Sequence, residues 1–131
     1  MAENFALKDK LAKHLGAEIV EVKSGYAKVK LKIQPHFLNG IDIVHGGIIF
    51  TLADYAFALA SNTGEETGVA INASINFVKA GLPDDTLYAE IKETSRSKRI
   101  GNYTGTVTNL QDQLLASFQS LAYYKTNNFK R

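Results

Sequence analysis

The chain has 131 residues, 45% of them hydrophobic and 21% charged, which suits a single globular domain over 1–131 and excludes wholesale disorder. With no cysteine, disulfides, thiolate catalysis and cysteine-based metal sites are all excluded. The formal net charge is +2 with both signs mixed along the chain, so composition gives no global reason to expect a nucleic-acid partner.

Residues 1–10 carry charges of both signs and lack the apolar stretch of a secretory signal. The longest largely apolar run, 46–60, is too short to span a bilayer. A cytoplasmic address and no membrane partner are therefore expected. Phe5, Leu7, Leu11, Ala12 and Leu15 fall roughly on one helical stripe with Gly16 after them, which predicts a short amphipathic helix over 5–15. Residues 17–23 and 26–33 alternate around the Ser24-Gly25 turn and predict a hairpin. In its second strand Ala27, Val29, Leu31 and Ile33 share one face, and Tyr26, Lys28, Lys30 and Lys32 the other. Residues 34–44 read as a loop with Pro35, Asn39-Gly40 and Asp42.

After His45-Gly46-Gly47, residues 48–61 have the length, alanine and leucine of a helix. The segment is apolar around nearly its whole circumference, so burial on nearly all sides is expected. A polar turn over 62–68 leads to strands at 69–79, 86–95, 100–108 and 114–125, read as a consecutive antiparallel meander. The fold class that follows is α+β, an antiparallel sheet wrapped around one central helix. One helix cannot cover a whole sheet face, and sheet edges need partners, so a two-fold homodimer is expected on structural grounds.

Asp54 is the one charged side chain between His45 and Glu65, and it lies mid-helix in apolar company. Either it lies on a narrow solvent-facing edge, or it faces a partly dry cleft that tunes its proton affinity for general-base work. Gly46-Gly47 stands at the helix start, where unpaired N–H groups and the absent side chains could receive a substrate carbonyl; tight helix-to-sheet packing explains the same pair. Gly46 and Asp54 are eight residues apart, roughly 12 Å along a helix. Reacting atoms must approach to about 3–3.5 Å, so if both take part the simplest arrangement takes the amide from one subunit and the carboxylate from another. Asn39 could orient water or a carbonyl, though Asn-Gly is also a common turn. His45 could bond a ligand or cap the helix. Histidines at 14, 36 and 45 show no metal-ligand spacing, so no metal is expected. No Gly-x-Ser-x-Gly supports a serine nucleophile. Arg96, Lys98 and Arg99 form one basic group and Lys125, Lys130 and Arg131 another, each readable as a solvated strand end or tail.

The run Asn39-Gly40-Ile41-Asp42-Ile43-Val44-His45-Gly46-Gly47-Ile48-Ile49-Phe50-Thr51-Leu52-Ala53-Asp54 resembles the core motif of hotdog-fold thioesterases. It is most similar to the phenylacetic-acid-pathway type, with its asparagine-glycine loop, His-Gly-Gly and Leu-Ala-Asp. The resemblance in element order covers nearly the whole chain. It implies an acyl-CoA thioesterase, a hydrolase acting on an aromatic or medium-chain acyl-CoA without cofactor or metal. It implies a homodimer as the active unit, paired into a homotetramer. By the same resemblance Asp54 is the catalytic carboxylate, as general base or as nucleophile, Gly46 polarises the thioester carbonyl across the dimer interface, and Asn39 positions water or carbonyl. His45, Gly47, Asn72 and Asn76 become candidates for substrate contacts, and Arg96, Lys98 and Arg99 for the CoA phosphates. A non-catalytic acyl-CoA-sensing protein on the same fold is the alternative.

Overall fold

Alternating polar and apolar residues build six strands, and the computed structural model describes them, with their helices, over residues 4–125. They are β1 (Glu18–Lys23), β2 (Tyr26–Lys32), β3 (Thr67–Phe77), β4 (Thr86–Arg96), β5 (Ile100–Thr108) and β6 (Leu114–Lys125). The α+β architecture is as expected, one antiparallel sheet around one main helix, α2 (Gly46–Ser61). Its strand order is β1-β2-β4-β5-β6-β3.

That order corrects the expected meander. β4, β5 and β6 are consecutive neighbours, but β3 pairs with β6, and β4 pairs with β2. Burial gives the reason. Ala27, Val29 and Leu31 on β2 stand opposite Ile91, Ala89 and Leu87 on β4, all essentially inaccessible, so these two strands belong under the helix. β3 is exposed along most of its length and takes the edge.

The N-terminal segment is also not one helix. Asn4 caps a 3-10 turn, Phe5–Lys8, and Asp9 then accepts from the Ala12 N–H at 2.9 Å and caps α1 (Lys10–Leu15). The competing aspartate cap is what divides the stripe. Phe5, Leu7 and Leu11 are exposed, while Ala6 and Ala12 are buried against the core. Gly16 ends α1 with a φ of +88°, a left-handed conformation that favours glycine. Lys130 and Arg131 lie outside the described residues.

Ile49, Leu52, Ala53, Ala56, Phe57, Leu59 and Ala60 of α2 are buried against the inner sheet face. The alanines let helix and sheet approach closely, and Phe57 meets Tyr103 edge-on with ring centroids 5.4 Å apart. Such a pair contributes about 0.5–1.5 kcal/mol beyond its area. The expectation of burial on nearly all sides does not hold within one chain: Gly47 and Asp54 are exposed, with Phe50, Thr51 and Ala58 partly so, along one stripe of the helix. Among the described residues no helix is long and apolar enough to cross a membrane.

Gly105 on β5 is fixed by close approach. A β-carbon there would stand 2.1 Å from the Glu90 carbonyl oxygen and 2.9 Å from the Ile91 Cα, backbone atoms that no rotamer change can move aside. Gly105→Ala is expected to destabilise the protein by about 1–3 kcal/mol or more, as overpacking does. A thermal or denaturant melt checks it, and an unchanged midpoint would show that the sheet has more slack than these distances allow.

Candidate active site

The loop before α2 is tied down before the helix begins. Asn39 and Val44 flank a tight reversal in which the Asn39 N–H donates to the Ile43 carbonyl at 2.8 Å. The Asn39 Oδ1 accepts from the Ile41 and Ile43 N–H groups at 3.0 and 3.3 Å. Asp42 takes a φ of +61°, which aspartate tolerates. The Val44 N–H then donates to the Gly81 carbonyl at 2.8 Å and the His45 N–H to Phe37 at 2.9 Å, so the first turn of α2 is held against the segment following β3. The Asn39 oxygen is thus consumed by the turn, as the Asn-Gly reading foresaw, and its NH2 group has no acceptor among the described residues.

His45 is the N-cap. Its Nδ1 accepts from the Gly47 N–H at 2.8 Å, and its carbonyl accepts from Ile48 and Ile49. This is the capping alternative for His45. It also explains Gly47, where a β-carbon would stand 3.1 Å from that same Nδ1. Three of the four N–H groups that a helix start leaves open are thereby taken. The fourth, on Gly46, has no acceptor among the described residues.

Gly46 borders a cavity of about 280 Å³ whose walls include Asn39, Ile43, Ile49, Phe77, Lys79 and Gly81. The Phe77 ring lies against Gly46, with Cζ 3.2 Å from where a β-carbon would be, so any side chain there would have to displace the ring by a few tenths of an ångström. A free N–H at the positive end of the helix dipole, beside a largely apolar cavity, can polarise a carbonyl oxygen.

Asp54 does not line that cavity. Its carboxylate is exposed on the outward stripe, roughly 140° around the helix from Ile49. Even so, partial desolvation by the apolar helix, and secondarily the charge of Asp9, raise its pKa above the ordinary carboxylate value. Within one chain the amide and the carboxylate are therefore not brought together. β3, whose outer edge is free, runs beside α2. Phe77 at one end of β3 touches the start of α2, and Gly68 at the other end lies against the Ser61 carbonyl at its finish. Ile71 on that edge is 54% exposed.

The remaining candidates are scattered. Asn72 and Asn76 are exposed on β3, with Asn72 just past a bulge and its carbonyl accepting from Ser120. Arg96 stands by the far end of α2, where its guanidinium pairs with Glu66 at 2.8 Å and lies 3.4 Å over the Tyr124 ring. There it shields a network in which Tyr103 bonds both Tyr124 and Glu93, and burial raises the Tyr103 pKa out of any working range. Lys98 and Arg99 are exposed beside it. Phe77 and Lys79 were not foreseen as site residues. Strand periodicity marks Phe77 as apolar, but nothing in it reveals that the ring lands on Gly46.

A family model of the thioesterase superfamily matches residues 42–116, more than half of the chain and inclusive of the whole of α2. An Archaeoglobus fulgidus protein bearing an esterase name is 40% identical over 121 residues, 92% of this chain and 79% of the relative. The acyl-coenzyme A thioesterase PaaI of Escherichia coli K12 is 35% identical over 88% of this chain and 82% of its own. The solved structure of the E. coli PaaI protein from the phenylacetic acid degradation operon superposes with a TM-score of 0.87 at 33% identity, covering 92% of this chain and 88% of that one. A Streptococcus mutans UA159 protein solved bound to acetyl CoA superposes with a TM-score of 0.81 at 27% identity, covering 85% and 90%.

Proposed function

The chain belongs to the thioesterase superfamily and is a hotdog-fold thioester hydrolase of the PaaI type, and from that premise we propose that two copies complete an acyl-CoA thioesterase site. The observation that carries this is the Gly46 N–H, a helix-start amide without an acceptor among the described residues, at the wall of a largely apolar cavity. The thioester oxygen accepts from that N–H, and the acyl group enters the cavity among Ile43, Ile49 and Phe77. Asp54 of the partner subunit takes a proton from water as the water oxygen attacks the carbonyl carbon. The negative charge that develops on oxygen is held at Gly46. Collapse breaks the carbon–sulfur bond, and the proton passes to the departing thiolate, giving free acid and CoA.

The dimer is supported by the unpaired edge of β3, a long strand that is exposed along most of its length and carries Ile71 and Phe77 among its exposed residues. Asp54 lies too far around the helix to serve the cavity of its own chain. Its raised proton affinity supports the general-base role. Asn39 supplies a second free donor to the same cavity. His45 and Gly47 act through the cap that holds the helix start in place, and Asn72 and Asn76 border the seam between subunits. The CoA phosphates meet Lys98 and Arg99; Arg96 is already neutralised by Glu66. The reaction as proposed draws on side chains and a backbone amide, without metal or cofactor. Acetyl CoA on the S. mutans relative, and the acyl-CoA activity named for PaaI, support the substrate class.

The test is thiol release from a panel of aromatic and straight-chain acyl-CoAs. Saturable turnover on at least one aromatic or medium-chain member is expected. Tight acyl-CoA binding without turnover on any member would instead favour a sensing protein.

A further inference from the structure

We propose that Phe77 sets acyl selectivity in this site, admitting acyl groups that are unbranched or flat next to the carbonyl and rejecting those branched there. The inference rests on the thioesterase reading above. β3 ends at Phe77, whose backbone pairs with Ala116 and whose ring turns toward α2, the same way as half-buried Ile75. The ring meets Gly46 from the cavity side, with Cζ 3.2 Å and the next ring carbon 3.5 Å from the position a β-carbon would take. It is also part of the cavity wall.

The ring is held on one side only. Phe77 is 56% exposed and pairs with no other aromatic ring among the described residues, unlike Phe50, Phe57 and Phe118. A bound acyl group can therefore supply its missing contact. With the carbonyl oxygen at the Gly46 N–H, the first carbon of the acyl chain lies beside this ring. A methylene or a planar ring can slide along the phenyl face, and an aromatic acyl group gains an edge or offset contact with it. A methyl branch at that carbon projects into the ring or into the helix start, and making room for it costs the packing of the Phe77 ring against Gly46.

The experiment compares thiol release from butyryl-CoA and isobutyryl-CoA, isomers that differ in branching at that carbon. The parent protein, Phe77→Ala and Phe77→Leu are measured with Phe77→Tyr as the conservative control. The parent should favour the straight isomer in kcat/KM by about tenfold or more, the range in which pockets discriminate single carbons. Phe77→Ala should bring that ratio close to one, Phe77→Leu should reduce it, and Phe77→Tyr should retain it. Loss of folded protein scales both isomers equally and leaves the ratio intact, so the ratio reports the ring and not the fold; Phe77→Leu carries the test if Phe77→Ala does not fold. An unchanged ratio in the variants, or no preference in the parent, overturns the role of Phe77 while Asp54-dependent turnover keeps the hydrolase reading. Turnover of neither isomer, nor of any other acyl-CoA, overturns both.

Discussion

An Asp54→Asn variant is expected to lose about 10²–10⁴-fold in kcat/KM for thioester hydrolysis, the range that a positioned general base supplies, while folding as the parent does. Among the described residues the Asp54 side chain makes no hydrogen bond or ion pair, and it stands on the exposed stripe of α2. Replacing it with a near-isostere therefore breaks no contact within the chain, and surface changes of this kind stay within about 0.5 kcal/mol. Thiol release and a thermal melt on the same preparation separate the two readouts. Full activity in Asp54→Asn would remove this residue from the mechanism; lost activity with a lowered melting temperature would assign it a structural duty instead.

The pH dependence has a definite sign. Desolvation, with Asp9 nearby, raises the folded-state pKa of Asp54 above its unfolded value, so the folded chain holds this proton more tightly than the unfolded one. Stability from this group is present at low pH and declines as pH rises through the window between the two values. The ionised form needed at neutral pH thus slightly disfavours the fold, and Asp54→Asn should be as stable as the parent at pH 7 or more so. Activity runs the other way. A base must be deprotonated, so kcat/KM should fall as pH drops through the raised pKa, and that acidic limb should be missing from whatever activity the variant retains. A carboxylate kept where it costs stability suits function better than packing does.

How much of this was legible in the sequence depends on whether local pattern or long-range contact decides each feature. The two strands of the first hairpin, the central helix and the later strands follow from residue alternation and helical composition, which each segment carries by itself. Strand order does not. Residues 69–79 alternate no differently from 86–95, and only competition for the space under α2 puts β4 beside β2 and sends β3 to the edge. The division of the first helix was hidden for a related reason: Asp9 reads as a solvated charge until it is seen to cap Ala12. At the site, Asp54, Gly46 and Asn39 stand out as a lone charge, a glycine at a helix start and a turn asparagine. Phe77 does not, because its role is a contact with Gly46 across 31 positions of chain. Arg96 shows the same limit from another side: beside Lys98 and Arg99 it reads as one of a basic group, and nothing local reveals its pairing with Glu66, 30 residues away.

The role of the Gly46 amide can be isolated by comparing two substitutions with each other instead of with the parent. Gly46→Ala and Gly46→Pro both introduce a β-carbon against the Phe77 ring, so both bear the same steric cost. They differ in that proline removes the N–H. The position tolerates it: Gly46 is the first helical residue, where proline is favoured, and its N–H has no acceptor to lose. The preceding residue is also compatible, since His45 has φ −59° and ψ 134°, the extended conformation that a following proline requires. The two variants should therefore melt at similar temperatures. If the amide holds the developing oxyanion, kcat for Gly46→Pro should lie about 10²–10³-fold below that for Gly46→Ala, the cost of deleting one such donor. Equal rates would move the oxyanion to another donor, and the unbonded NH2 group of Asn39 on the same cavity wall is the one to test next. A deficit in Gly46→Pro that is confined to KM would mean that the amide binds the thioester without favouring its transition state.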